Sequence, residues 1–490
     1  MVEEYDIAIF GGGISGFSAA LRLQNKGLKT IVFESHGQLG GCAGFFTKKG
    51  FSFDVGATTL VDFIEGGVGG NFFKDIKLDI PKGKYIDYIA WLPDRQITLY
   101  QDAEKWKKER LDKIGSTQNH IEFWKLMDEV TKVFWAASRK NIKLPIRTPK
   151  DIYILVKCIG IKNLHLVKYL NSTMLDIVKK YNLKNDKPLV GLLSMLIEDT
   201  VHSTIDKAPF INSALGVTIR GAGLMRAEGG MKSFWNHLSN HYLKIGGTIK
   251  KGNKVLNFKQ ENNSWNIKTS KGFFKAKKVI NSLPIDLLQT ICPDSIKNKL
   301  QPFIAKNEKN KGSAIVVFLG VPENEVSNQT LDHHQILLDY ESKLGKGNNM
   351  FISVSEKDDH ISAPQGFRSV MISTHCEIAE WQNLSEMEYQ IKKQNIGSYL
   401  IEMARKVYPN LGQNPIVYEI GTPLTYQKFT NRIHGSVGGF KQTKENANLK
   451  AVPQDIGVKN FWLTGDNTWP GLGTVAGLIS GRIASEYAEK

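Results

Sequence analysis

The sequence predicts an α/β protein whose nucleotide-binding parallel sheet shares the chain with a second, helix-rich region. Three observations predict it. Residues 5–10 are an apolar run followed by Gly11-Gly12-Gly13-Ile14-Ser15-Gly16, a helical stretch to about residue 26, and a second apolar run ending at Glu34. Far down the chain, Phe461-Trp462-Leu463 runs into Gly465-Asp466 and then into a stretch of small residues from Thr474 to Gly481. The length, 490 residues, exceeds what one core accommodates, so two or more domains are expected, some built from discontinuous segments.

The first run suits a buried parallel strand. Gly11, Gly13 and Gly16 make a G-x-G-x-x-G turn. The first glycine permits the tight turn, the second lets a pyrophosphate approach the backbone, and the third lets helix and strand pack closely. Ile14 and Ser15 open the helix, where free N–H groups and the positive end of the helix dipole attract phosphate. Glu34 follows Gly16 at the spacing at which a carboxylate meets a ribose diol. The same acid repels a 2′-phosphate, which argues against NADP.

Forty-one per cent hydrophobic and 23% charged residues exclude wholesale disorder. Cys42, Cys158, Cys292 and Cys376 are scattered without paired spacing, so neither a zinc site nor a disulfide framework is expected, and a reducing compartment fits. No secretory leader pattern opens the sequence and no apolar run has the length of a membrane span, so a cytoplasmic location is expected. The net charge of +16 suggests an anionic partner. Aromatic and basic residues do not interleave as a nucleic-acid groove requires, which leaves an anionic membrane surface or a solvated lysine-rich exterior.

Gly40-Gly41 places flexible backbone beyond the second strand, where a loop can offer N–H groups to the pyrophosphate. Residues 66–70, Gly-Gly-Val-Gly-Gly, read as a flexible solvated loop. Residues 102–138 carry a helical pattern of aromatic and apolar groups. Residues 139–187 hold twelve basic and three acidic residues among 49, interleaved with apolar ones. Lys157, Lys168 and Lys179 recur every eleven residues, so a continuous helix would show them on one face. Gly160 and Asn163 are candidate breaks. A basic amphipathic stretch of this kind suits peripheral contact with the inner face of a membrane. Residues 313–319, 350–354 and 370–374 read as buried strands. His333 and His334 are adjacent, point to opposite sides of a strand and make a poor metal site. They and His375 are read as structural or surface residues, and no metal is expected.

Gln38-Leu39-Gly40-Gly41-Cys42-Ala43-Gly44, with Gly50-Phe51-Ser52-Phe53-Asp54-Val55-Gly56-Ala57, closely resembles the N-terminus of the carotenoid desaturase and carotenoid isomerase group of flavoproteins. The nearest likeness is to the C-3′,4′ desaturase type and the plant-type isomerases. The resemblance implies the fold of the FAD-dependent amine oxidase superfamily. On that pattern a Rossmann-like FAD-binding domain comprises residues 1–85, 221–310 and 421–490. A discontinuous α+β substrate domain comprises 86–220 and 311–420. It also implies cofactor contacts at Ser35 beside Glu34, at Gly40, Gly41 and Cys42, and from the Val255 backbone to the adenine. Gly465 and Asp466 would serve the ribityl or pyrophosphate, and Gly473, Thr474 and Val475 would face the flavin. Many relatives carry Arg where this chain has Cys42, so that contact is not carried over, and Cys42 is read as a small buried residue rather than a redox thiol. Two cradling elements, one early and one late in the chain, imply FAD rather than NAD.

The expected reaction is desaturation of a hydrophobic polyene, one hydrogen leaving as hydride to the flavin and its neighbour as a proton. Isomerase and retinol-type saturase activities share the same flavin motifs. A non-enzymatic lipid-handling protein on this fold would have lost them, and an amine oxidase would need an aromatic cage. The electron acceptor, quinone or oxygen, is left open. No Ser-His-Asp or paired-carboxylate spacing names a catalytic acid or base.

Overall fold

The computed structural model describes residues 3–490. Strand β1 (Glu4–Phe10), helix α1 (Ile14–Asn25) and strand β2 (Thr30–Phe33) open the first sheet. Its parallel part runs Thr248–Lys250, β2, β1, Gly272–Asn281 and Phe461–Leu463. Ser264–Thr269 and Val255–Glu261 extend the sheet as an antiparallel meander beside the first half of Gly272–Asn281. Ile7, Ala8, Ile9 and Phe10 are all buried, as a strand covered on both faces requires.

α1 lies against the helix Thr474–Glu489, and small residues set the approach. A Cβ on Gly477 would stand 2.5 Å from Ile14 Cγ2, and one on Gly481 would stand 2.4 Å from the Ser15 carbonyl oxygen. This is why the late helix reads as a run of small residues.

The second sheet runs Val417–Gly421, Ser313–Pro322, Phe367–Cys376, Asn349–Val354, His333–Leu337, Tyr88–Trp91 and Gln96–Leu99. It is antiparallel except where His333–Leu337 meets Tyr88–Trp91. Alternation sorts its two faces. Ile315, Val317 and Leu319 pack beneath the helix Glu386–Ala404 with Leu400 and Ala404. Val316 and Phe318 face Phe51, Phe53 and Met371 on the other side. His333 and His334 are both buried and held structurally, at 3.0 Å from Ser353 Oγ and 2.9 Å from Tyr408 Oη respectively.

The helices Ala103–Lys113, Gln118–Arg139, Pro149–Ile159, Met174–Lys180, Lys187–Val201 and Phe210–Val217 form the region between. Residues 139–187 break at Gly160, one of the two candidate positions: Pro149–Ile159 ends there with φ +83°, a tight turn helix covers Ile161–Asn171, and a Thr173/Asp176 capping box starts Met174–Lys180. The other candidate, Asn163, lies within the turn helix and is not a break. The lysines at 157, 168 and 179 therefore sit on three separate elements. Residues 66–70 are not the flexible loop expected. A helix spans Val68–Asp75, and the buried Asp62 carboxylate accepts from Val68 N–H at 2.7 Å while pairing with Arg139.

A buried pair also ties the 50–57 motif to the Gly229-Gly230 turn. Asp54 accepts from Arg226 at 2.8 Å and from Met231 N–H at 2.8 Å, capping the helix Gly230–Lys244.

Candidate active site

The C-terminal edge of the first sheet opens into a cavity of about 830 Å³. Of the sixteen residues expected at the cofactor, all but Gly16 line it. Gly16 lies behind the turn, where a Cβ would stand 2.6 Å from the Gly11 carbonyl oxygen. Gly13 faces the cavity, and a Cβ there would meet nothing within 4 Å. The Gly40 loop rests on the first turn through its N–H to the Gly12 carbonyl, 3.0 Å. Glu34 accepts from Gly12 N–H and His36 N–H, each at 2.8 Å. Ser35 Oγ donates to Glu34 as well, at 3.2 Å, and since a carboxylate has about four acceptor positions, about one remains for a ribose hydroxyl. Ser35 and Val255 lie on the wall beside it.

The late segment supplies the opposite wall. Ser480 Oγ sits 2.9 Å from Thr464 Oγ1 and 2.8 Å from Thr468 Oγ1, and it accepts from Gly465 N–H at 3.2 Å. This hydroxyl knot fixes the Gly465-Asp466 turn against the helix that Thr474 and Val475 begin. Asp466 does not stand free: Arg432 Nη2 donates to its Oδ2 at 2.6 Å. Arg432 Nη1 is buried with no protein partner. Burial opposes the charge of this guanidinium, but Asp466 outweighs it and the pKa is raised. Cys42 lines the cavity half-buried, rather than buried as expected. Burial pushes its thiol pKa up against the pull of Arg432. Arg432 thus supplies a guanidinium beside Cys42, from a segment nearly four hundred residues away.

Beyond the cradle the cavity wall is mostly hydrocarbon and aromatic: Phe46, Phe134, Trp135, Leu155, Ile211, Leu215, Val316, Phe318 and Phe351 among others. Polar exceptions stand at several places, among them the Lys48–Glu419 ion pair and the hydrogen-bonded Asn212, Gln442 and Asn448. Asp199, His202 and His375 line the same space. His375, expected to be structural or superficial, stands on the cavity wall, 3.7 Å from Glu198. The histidine rings of 202 and 375 meet edge to face at 4.6 Å. Burial, then the neighbouring His375, lowers the His202 pKa well below 6.5. Burial also opposes charge on His375, but Glu198 and Asp199 outweigh it, and its pKa is raised.

The unmet Arg432 nitrogen, the open space over Gly13 and the helix N-terminus at Ile14 fit a ligand with two phosphates. Among the described residues no group of three or more His, Cys, Asp or Glu side chains is placed to hold a metal.

The profile of NAD(P)-binding Rossmann-like domains matches residues 9–75, and that of flavin-containing amine oxidoreductases matches residues 200–488. The chain belongs to the flavin-containing amine oxidoreductase family. Its cofactor is therefore a flavin, and the chain is an oxidoreductase of that family. Prolycopene isomerase 1 of an Oncidium hybrid cultivar is 26% identical over 98% of this chain and 83% of its own length. The 4,4′-diapophytoene desaturase of Staphylococcus aureus is 22% identical over 97% of both. The resemblance to carotenoid desaturases and isomerases, strongest in sequence at residues 5–60, 224–284 and 421–482, thus extends along 97–98% of this chain. Putrescine oxidase superposes with a TM-score of 0.64 at 14% identity, covering 100% of each chain. Cyclohexylamine oxidase from Brevibacterium oxydans gives 0.61 at 15%, again over 100% of each. These two share its fold.

Proposed function

We propose that this protein is an FAD-dependent oxidoreductase of carotenoids or related polyenes that desaturates its substrate by hydride transfer. The observation that carries the reading is continuity: one cavity joins the nucleotide cradle to a wall of aromatic and aliphatic side chains. The curated relatives named for prolycopene and diapophytoene chemistry support the same substrate class. Glu34 would hold the adenosine ribose. Gly13, Ile14, Ser15, Gly41 and Arg432 would hold the pyrophosphate, and Asp466 the ribityl side. Bound flavin supplies the hydride acceptor. The apolar wall holds an extended hydrocarbon and excludes water, which also preserves the charge interactions inside.

Isomerisation is the second reading, favoured by the plant relatives. Expression in bacteria that make lycopene, 1-hydroxylated or poly-cis carotenoids separates the two. A product two hydrogens lighter and red-shifted is expected. An isomer of unchanged mass would move the assignment to isomerase, and a heavier, blue-shifted product to saturase. Flavin binding with no pigment change in any strain would remove the polyene reading.

The substrate class argues for loading from a bilayer. No helix among the described residues is long and apolar enough to cross a membrane. Leu155 lines the cavity from the same helix that exposes Ile152 and Tyr153, and Ile161 and Leu164 stand exposed on the next turn helix. Four exposed apolar residues within thirteen positions, Ile161 at 78%, are the grouping that suits an apolar surface. Lys157, Lys162 and Lys168 surround them in sequence. This segment is our candidate for contact with an anionic membrane surface, such as the inner leaflet. Replacing these three lysines by Gln is expected to weaken binding to phosphatidylglycerol vesicles roughly 100-fold, at about 1 kcal/mol per charge. Unchanged cosedimentation of the triple variant would remove membrane contact from the proposal.

A further inference from the structure

We propose that His375, backed by the Glu198 carboxylate, is the proton-transfer residue of the polyene cavity. The inference rests on the polyene reading above and adds the group that reading lacks.

His375 ends the cavity-facing row of the strand Phe367–Cys376. It lies in register opposite Ala314, and Val316 pairs with Ser373 one step on. All four line the cavity. Its ring neighbour His202 is wedged against Gly438, where a Cβ would come within 2.3 Å of His202 Cε1. The next residue, Gly439, abuts the Asp466 backbone equally closely. His202 therefore packs on Gly438, next to the glycine that abuts the Gly-Asp turn, and His375 lies beside it. Gln442 reinforces this: its N–H donates to the Val201 carbonyl, and its side chain donates to the Pro470 carbonyl.

The carboxylates behind the imidazole are fixed. Asn349 Nδ2 donates to Glu198 Oε2 at 2.5 Å, and that oxygen lies 3.7 Å from His375 Nδ1. Gln335 Nε2 donates to Asp199 Oδ2 at 3.0 Å. The hydrocarbon length of a polyene has no hydrogen-bonding group, so only a terminal hydroxyl of the substrate would give imidazoles and carboxylates in the wall a binding role. Burying them is costly unless each is paired. Proton transfer is the chemistry they suit. In desaturation, one carbon–hydrogen bond gives up hydrogen with both electrons to the oxidised flavin. The neighbouring carbon–hydrogen bond breaks the other way: its electron pair becomes the new π bond and its proton passes to His375. Glu198 then stabilises the imidazolium, the same division of labour that a carboxylate behind a catalytic histidine performs elsewhere. Run in reverse, the protonated imidazole donates.

The groups facing His375 are Glu198 and Asp199, which favour its charged form, and Lys441, which opposes it. Arg220 approaches from behind Asp199. His202 is held neutral, so it does not repel the imidazolium. Two imidazoles in contact are thus driven apart in basicity, the pattern expected of an acid–base site.

The test uses the full FAD-loaded chain under anaerobic conditions with a polyene that it converts. His375→Gln is expected to slow flavin reduction at least ~100-fold with flavin content unchanged. Desaturation needs the neutral imidazole, so the wild-type rate should fall as pH drops through a value above 6.5. Glu198→Gln should move that limb to lower pH. A limb of opposite sense, with flavin reduction falling as pH rises through that value, overturns the assignment of His375 as base. His375→Gln within a few-fold of wild type, or a limb unmoved by Glu198→Gln, overturns the assignment. Histidine-labelled NMR of the wild type decides it without relying on the His375 variant: a ring that titrates at or below 6.5 and ignores Glu198→Gln also overturns it. A wild type that holds flavin but converts no polyene overturns the polyene reading, and this assignment with it; only a converting wild type can isolate a failure of the assignment alone.

Discussion

Valine at position 13 is expected to yield a folded protein without flavin. Gly13 has φ −73° and ψ 170°, an extended conformation open to any residue. Its missing Cβ points into open space. The polypeptide therefore has nothing against a side chain there, and only the ligand does. Displacing a pyrophosphate from the helix N-terminus forfeits charge-assisted hydrogen bonds worth roughly 1.5–3 kcal/mol each. Two such losses weaken binding by at least about 100-fold. Gly16→Val is the contrasting control. Its Cβ would stand 2.6 Å from the Gly11 carbonyl oxygen and 2.8 Å from Ser282 Cβ, so the turn itself must move. Far-ultraviolet dichroism, melting temperature and flavin-to-protein ratio distinguish them: Gly13→Val should lose only the last. Wild-type flavin content in Gly13→Val would refute the placement of the pyrophosphate.

Arg432→Met is expected to cost both stability and flavin. The pair it forms with Asp466 is largely buried, at 12% and 20% side-chain exposure. Removing one partner of such a pair strands the other charge and costs about 3–5 kcal/mol. Arg432→Met/Asp466→Asn removes both charges and should regain most of the lost melting temperature. It should not regain flavin, because the buried Nη1 offered to the ligand and the Asp466 carboxylate are both missing. Full flavin occupancy in the double variant would reduce Arg432 to a structural partner of Asp466.

Much of this architecture is legible in the sequence because it is local. Strand, glycine turn, helix and terminal acid follow one another between residues 4 and 34, and each constrains the next. The Gly465-Asp466 turn and the small-residue helix are readable for the same reason. What depends on distant partners is not. The 66–70 stretch looks like a loose loop until Asp62 and Arg139, from separate elements, cap and hold a helix there. The break at Gly160 is legible because glycine itself supplies the positive φ, whereas the second division, at the Thr173 capping box, is not evident from the eleven-residue lysine spacing. Residues 432–439 resemble the family segment that leads back toward the flavin, but only folding shows that Arg432 stands beside Cys42. His375 follows an ordinary Ser-Thr tail at the end of a buried strand. Glu198 and His202 give it a setting only after the helix Lys187–Val201 packs against the second sheet.

The hydroxyl knot around Ser480 has a consequence for how the protein is made. β1, α1 and the Gly13 turn leave the ribosome first, but the parallel sheet lacks Phe461–Leu463 and α1 lacks its companion helix until residues 461–489 emerge. On the proposed cradle, the wall that Gly465, Asp466 and Thr474 contribute is absent until those residues emerge. Acquisition of the vitamin-derived cofactor by the finished chain, rather than by the nascent one, is the expected order.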